Sequence, residues 1–197
     1  MMEKTGLAKG RLLERFFLAR EDTAVVIIDV QEKLASAMEE NAGQQAIKNA
    51  SRLAEAATLF PIPAIITEQY SKGLGATVEA LRASLPEIRP LEKMTFNCCG
   101  EPSFMDNIHA VKRKKFILAG METHICVLQT CLGLLEKGFI VHVASDACCS
   151  RKKENHMTGL ELMRDAGAVI TSVETALFQL AGRAGTEEFR ALSKLIK

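Results

Sequence analysis

The chain has 197 residues, 48% of them hydrophobic, with a formal net charge of +1. This length fits one α/β domain with a sizeable core. Balanced charge gives no pull toward nucleic acid or a membrane surface, and no apolar run is long enough to cross a bilayer.

Residues 1–22 carry Glu3, Glu14 and Glu21 and lack the apolar centre of a secretory signal. They read as an arm leading into a single domain over 23–197. Strand signals follow at about 24–29 (AVVIID), 63–67, 91–94, 115–119, 139–144 and 168–173. Helical periodicity falls at about 31–39, 42–60, 75–84, 101–112, 124–138, 153–166, 174–181 and 186–196. The alternation predicts a three-layer, doubly wound α/β fold. Its sheet is six-stranded and mostly parallel, with right-handed crossovers and helices on both faces.

Three positions invite chemistry. Asp29 ends a strand that is apolar on both faces, where open α/β sheets place ligands; an aspartate there also serves as a helix N-cap. Lys93 lies in a short extended segment, RPLEKMTF, where a lysine is commonly a solvated charge. Cys126, in GMETHICV, stands at a strand-to-helix turn. A helix N-terminus favours the reactive thiolate, although free cysteines also pack as small hydrophobes.

Five segments in order carry a resemblance: AVVIIDVQEKL, AIITEQYSKGLGATV, LEKMTFNC, FILAGMETHICVLQT and VHVASDACCSR. With Asp29, Lys93 and Cys126 in these places, the chain resembles the isochorismatase-like cysteine hydrolases. DVQEKL, TEQY with GLG, and VHV with DAC and SR look most like the branch called isochorismatase domain-containing protein 2. The resemblance implies an Asp-Lys-Cys triad that cleaves a small amide-like C–N bond through a thioester. It implies oxyanion donors at the backbone N–H groups of Glu122 and Cys126, with a cis peptide at Met121–Glu122. It also implies a homo-oligomer, for which the C-terminal helix, with Leu192, Leu195 and Ile196, offers an apolar face to a partner or to its own sheet. Gln69, Tyr70, Phe96 and Ile125 are candidate substrate contacts. Lys93 is expected to lower the Cys126 thiol pKa and so make this the first cysteine to be alkylated. The alternative is a catalytically idle scaffold or interaction protein that keeps the fold.

Several classes are disfavoured. A dinucleotide site needs G-x-G-x-x-G after the first strand, but the chain reads Asp29-Val30-Gln31-Glu32 there, and Gly73 and Gly75 lack the third glycine. No cofactor is therefore expected. The loop after the second strand, Glu68-Gln69-Tyr70-Ser71, has no histidine, so no metal is expected either. His124 reads as a wall or interface residue and His142 as a satisfied core residue. The run from Lys112 to Lys115 has no interleaved aromatics for base stacking and reads as a solvated helix end. Six cysteines without a CxxC pattern suggest reduced thiols and a cytoplasmic location.

Overall fold

The computed structural model describes residues 13–196, so the first twelve residues of the expected arm lie outside the described residues. Six strands form one sheet: β1 (Thr23–Ile28), β2 (Ala64–Gln69), β3 (Leu91–Lys93), β4 (Lys115–Met121), β5 (Ile140–Cys149) and β6 (Val169–Thr171). Their order is β3-β2-β1-β4-β5-β6, and every neighbouring pair is parallel. The order reverses direction at β1, so the carboxyl ends of β1 and β4 flank the switch point where open sheets bind ligands.

Helices connect the strands. They are α1 (Glu32–Ser36), α2 (Glu40–Leu59), α3 (Ser71–Leu74), α4 (Glu79–Ser84), α5 (Pro102–Ala110), α6 (Leu128–Glu136), α7 (Lys153–Asp165), α8 (Val173–Ala181) and α9 (Glu187–Leu195). Successive side chains of a strand point to opposite faces. Val25 and Ile27 therefore join a core with Leu53, Ala57 and Leu177 from α2 and α8. Ala24, Val26 and Ile28 join the other, with Ile108, Leu134 and Met163 from α5, α6 and α7. At about 25 cal/mol per Å² of apolar area, two such cores dominate the stabilising side of folding.

Four expectations need correction. β5 runs to Cys149 rather than ending near 144, because a register shift between Leu118 and Gly120 lets pairing resume at Gly120–Cys148. The polar break that hides this is structural: Asp146 accepts the Val173 N–H at 2.8 Å, and its carbonyl accepts from Asn49 at 2.9 Å. Cys148 and Cys149 thus belong to a strand and not to a loop. The expected helix over 75–84 shortens to α4, and a separate short helix, α3, ends just before Gly75. The helix expected at 124–138 opens as a π-helical turn, Thr123–Val127, and becomes α-helical only at Leu128. Finally, Lys115 is not part of a solvated helix end. It starts β4, is 4% exposed, and its ammonium meets Asp22 at 3.0 Å and the Phe17 carbonyl at 2.8 Å.

α9 covers its own domain: Leu192 is fully buried in the core, with Leu195 and Ile196 packed against it.

Candidate active site

β1 delivers Asp29 to the carboxyl edge of the sheet in a left-handed conformation, φ 52°. Aspartate is among the residues that tolerate this region best. Its N–H donates to the Thr67 carbonyl at 3.1 Å, which continues the β1–β2 ladder by one step and leaves the side chain fully buried. The Thr67 hydroxyl donates to Oδ1 at 2.7 Å. The Lys93 ammonium lies 2.7 Å from Oδ2, and both side chains are almost wholly out of water. That contact has ion-pair distance without a well-angled hydrogen bond, so Oδ2 keeps an uncommitted lone pair.

Lys93 comes from the end of β3, two strands from β1, and its ammonium also donates to Gln69 Oε1 at 2.7 Å and the Thr95 carbonyl at 3.1 Å. Burial opposes its charge, but Asp29 and the nearby thiols outweigh burial and raise its pKa. The third member arrives from the far side of β1. Cys126 lies in the π-helical turn after β4, 5% exposed, with its thiol near enough to Asp29 for the carboxylate to bear on its ionisation.

The thiol itself departs from expectation. Burial pushes its pKa well above the ordinary cysteine value; the Asp29 carboxylate adds to this and Lys93 only opposes it. Burial and the carboxylate both favour the neutral thiol over the thiolate. The expected help from a helix N-terminus is weakened because the turn folds back on itself: Ile125 N–H and Val127 N–H both donate to the Glu122 carbonyl. The argument for Cys126 as the first cysteine to be alkylated falls with it.

The peptide bond Met121–Glu122 is cis. The Glu122 side chain is 4% exposed and accepts from the backbone and side chain of Arg151 at 2.9–3.1 Å. Burial resists the charge of Glu122, but these bonds win and lower its pKa.

The four candidate contacts differ. Both ends of the Gln69 amide are engaged: Oε1 holds Lys93, and Nε2 donates to the Met94 carbonyl at 2.9 Å. Gln69 thus acts as a spacer for Lys93. Tyr70, 48% exposed, lines a cavity of about 330 Å³ with Lys93, Met94, Lys72, Glu92 and Glu101. Phe96 is 53% exposed, and Ile125 is half-buried against the second core.

Sequence reading missed three participants. Thr67 pairs in register with Ile28, the residue before Asp29, so a hydroxyl there was predictable once the register was known. Gln31 is fully buried; its Oε1 accepts the Gln69 N–H at 2.7 Å, and its Nε2 donates to the carbonyls of Gln69 and Gly75. Cys98 lies 3.9 Å from the Thr67 hydroxyl, its thiol pushed by burial to about 12.

Among the described residues, no three histidines, cysteines or acids are grouped to hold a metal. Glu68, the acid after the second-strand signal, has both oxygens engaged by Thr77 and Ser71. His124 pairs with Ser150 at 3.0 Å. His142 is bonded at Nε2 to the Arg15 carbonyl, while its Nδ1 has no partner among the described residues.

Comparison with known proteins places this geometry. The isochorismatase domain model matches residues 23–175. The secreted isochorismatase effector Isc1 of Phytophthora sojae is 44% identical over 155 residues, covering 77% of this chain and 74% of its own. Isochorismatase domain-containing protein 2 of Xenopus laevis is 33% identical over 180 residues, covering 91% and 85%. Among solved structures, the MAR1 ribonuclease of Caenorhabditis elegans superposes with a TM-score of 0.85 at 36% identity, over 91% of this chain and 92% of that one. YcaC of Pseudomonas aeruginosa, solved with hexane-2,5-diol and covalent acrylamide, gives 0.83 at 26% identity, over 91% and 95%. YcaC of Escherichia coli, an octameric hydrolase of unknown specificity, gives 0.84 at 25%, over 91% and 90%. With the family's domain spanning all six strands and the carboxyl edge where Asp29, Lys93 and Cys126 meet, this chain belongs to the isochorismatase hydrolase family.

Proposed function

We propose that this protein is a metal-independent cysteine hydrolase of small amide-like C–N bonds, working through Asp29, Lys93 and Cys126. The observation that carries this reading is a buried carboxylate set between an ammonium at 2.7 Å and a thiol. A buried charge pair is costly to maintain for structure alone, and perturbed ionisable groups concentrate at functional sites.

Because the thiol rests protonated, its proton must leave as attack begins. Asp29 accepts that proton while Cys126 Sγ bonds to the substrate carbonyl carbon. Base assistance of this kind contributes about 10²–10⁴-fold. The carbonyl oxygen becomes an oxyanion held by the backbone N–H groups of Glu122 and Cys126, where one donor is worth about 10²–10³ in rate. Asp29 returns the proton to the leaving nitrogen, the C–N bond breaks, and a thioester remains. Asp29 then draws a proton from water, which attacks the thioester and releases the acid and the thiol. Lys93 keeps a positive charge against the carboxylate throughout, and Thr67 and Gln69 position the pair. The lack of histidine in the Glu68–Ser71 loop supports metal independence.

A ribonuclease reading, raised by the Caenorhabditis relative, has less support. At the cavity beside Lys93, Glu92 and Glu101 offset Lys72 and Lys93 and leave no excess positive charge for phosphates, and the Lys112–Lys115 run lies at the amino edge of the sheet, opposite the triad. We further propose a homo-oligomer, following octameric Escherichia coli YcaC, and a cytoplasmic location, in keeping with six free cysteines.

The test is ammonia release from a panel of small amides, ureas and carbamoyl compounds, with RNA as a separate arm. Turnover should be lost in Cys126→Ala and should survive a chelator. Release unaffected by Cys126→Ala refutes the mechanism. No release from the whole panel favours the idle scaffold.

A further inference from the structure

Three side chains of the turn that carries Cys126 are held from outside it. Glu122 takes the Arg151 backbone N–H and Nε, Thr123 Oγ1 pairs with His156 Nδ1 at 2.9 Å, and His124 Nδ1 pairs with Ser150 Oγ at 3.0 Å. Arg151, His156 and Ser150 are also walls of a cavity of about 440 Å³. It lies over the carboxyl end of β5 and is completed by Cys148, Cys149, Lys153 and the start of α2 at Glu39 and Ala42. It shares no residue with the cavity beside Lys93.

The chemistry of this second cavity is specific. Its floor is the two buried cysteines of β5, with the exposed Ala42 methyl at its side; burial pushes Cys149 up to about 12, so the floor is uncharged at neutral pH. Its rim is cationic. Arg151 engages Glu122 through Nε and its backbone, and among the described residues its two Nη groups donate to nothing. Lys153 likewise has no ion pair among the described residues. The one acid of the lining, Glu39, has its carboxylate engaged in capping α2, accepting from Asn41 N–H at 3.2 Å and Ala42 N–H at 2.8 Å. Cationic donors over an apolar floor, in a cavity this size, suit a small ligand with one anionic end.

We propose that this cavity is a second binding site, for a small monocarboxylate with a short apolar chain, and that its occupancy holds the Cys126 turn closed. The carboxylate pairs with the free Nη groups of Arg151 and with Lys153, and the chain lies over Cys148, Cys149 and Ala42. Arg151 is then fixed from both sides, by the ligand and by Glu122, and the tethers of the turn are stiffened together. Cys126 is almost completely buried, so a reagent reaches it only when the turn opens locally, and a ligand that stabilises the closed turn slows that opening.

The probe is pentanoate, titrated calorimetrically into the whole protein, with pentylamine and 1-pentanol as controls. A ligand of this size should bind with a Kd of about 1 mM, and neither control should match it. At saturation, iodoacetamide labelling of Cys126, followed by peptide mapping, should slow about threefold or more. Ala42→Phe fills the cavity and Lys153→Glu reverses its rim; both positions are exposed, so the fold tolerates them. Each should weaken pentanoate binding about tenfold or more and remove the protection of Cys126. The site is refuted if pentanoate fails to bind, if pentylamine binds as well, or if both variants bind it normally. Protection that persists in the variants places the ligand at the triad instead, and binding without protection refutes the coupling. No readout uses hydrolysis, so failure here leaves the proposed hydrolase untouched.

Discussion

Replacing Lys93 by methionine keeps the length of the side chain and deletes its charge. Asp29 would then sit fully buried with only the Thr67 hydroxyl and the Cys126 thiol beside it, and Gln69 Oε1 and the Thr95 carbonyl would lose their donor. Breaking one partner out of a buried pair costs about 3–5 kcal/mol, chiefly through the charge left behind. For a chain of this size, each kcal/mol lowers Tm by about 2–4 °C, so Lys93→Met should melt about 6–20 °C lower. The argument makes a sharper demand of the double variant. Asp29→Asn suits the left-handed backbone at that position and removes the stranded charge. Asp29→Asn/Lys93→Met should therefore be more stable than Lys93→Met alone, by about 1–3 kcal/mol in denaturant titration. A single-variant loss below about 1 kcal/mol, or a double variant that simply adds the two losses, would refute the claim that the pair is buried and coupled.

The same geometry makes other predictions. Thr67→Val removes the hydroxyl that donates to Asp29 Oδ1 and should cost about 1.5–3 kcal/mol in urea unfolding; a neutral result means that the hydroxyl does not hold the carboxylate. Gly120→Ala places a methyl 2.0 Å from the Ile28 carbonyl oxygen, at φ 139°. Since β1 backbone must shift, we expect a loss of about 2 kcal/mol or more and reduced hydrolysis, and an unperturbed Tm is incompatible with this packing. Stability should fall on the alkaline side. The thiols of Cys98, Cys131 and Cys149 are raised to about 12 and that of Cys99 to about 11, and Lys93 is raised as well. A folded pKa above the unfolded value stabilises fully below the unfolded value, here about 8.5 for cysteine, and is lost as pH rises through the folded one. Each thiol that ionises only on unfolding adds about 1.4 kcal/mol per pH unit to the slope, so urea midpoints should be flat from pH 7 to 8 and fall above about 9. A midpoint that rises over that range contradicts the burial of these groups. In labelling, half-buried Cys99 should react with iodoacetamide before Cys126, and prompt labelling of Cys126 would mean an open turn.

Local pattern carried much of this protein. Val25 to Ile28, apolar at every position, mark a strand covered on both faces, and the alternation of strands with amphipathic helices leaves few folds to choose from. Asp29, Lys93 and Cys126 each end or follow a strand signal, so their shared edge was legible from order alone. What order does not contain is distance across the sheet. Thr67 and Gln69 look like ordinary polar residues until the β1–β2 and β2–β3 registers set one against Asp29 and the other against Lys93. The extension of β5 depends on a shift in its partner, β4, and is invisible in VHVASDACC itself. The reversal at Cys126 is of the same kind. A turn read alone offers a helix N-terminus and a lower pKa, whereas the folded chain encloses that thiol within one of the two cores, near a carboxylate. Desolvation grows with everything packed around a group, so its sign and size belong to the tertiary structure.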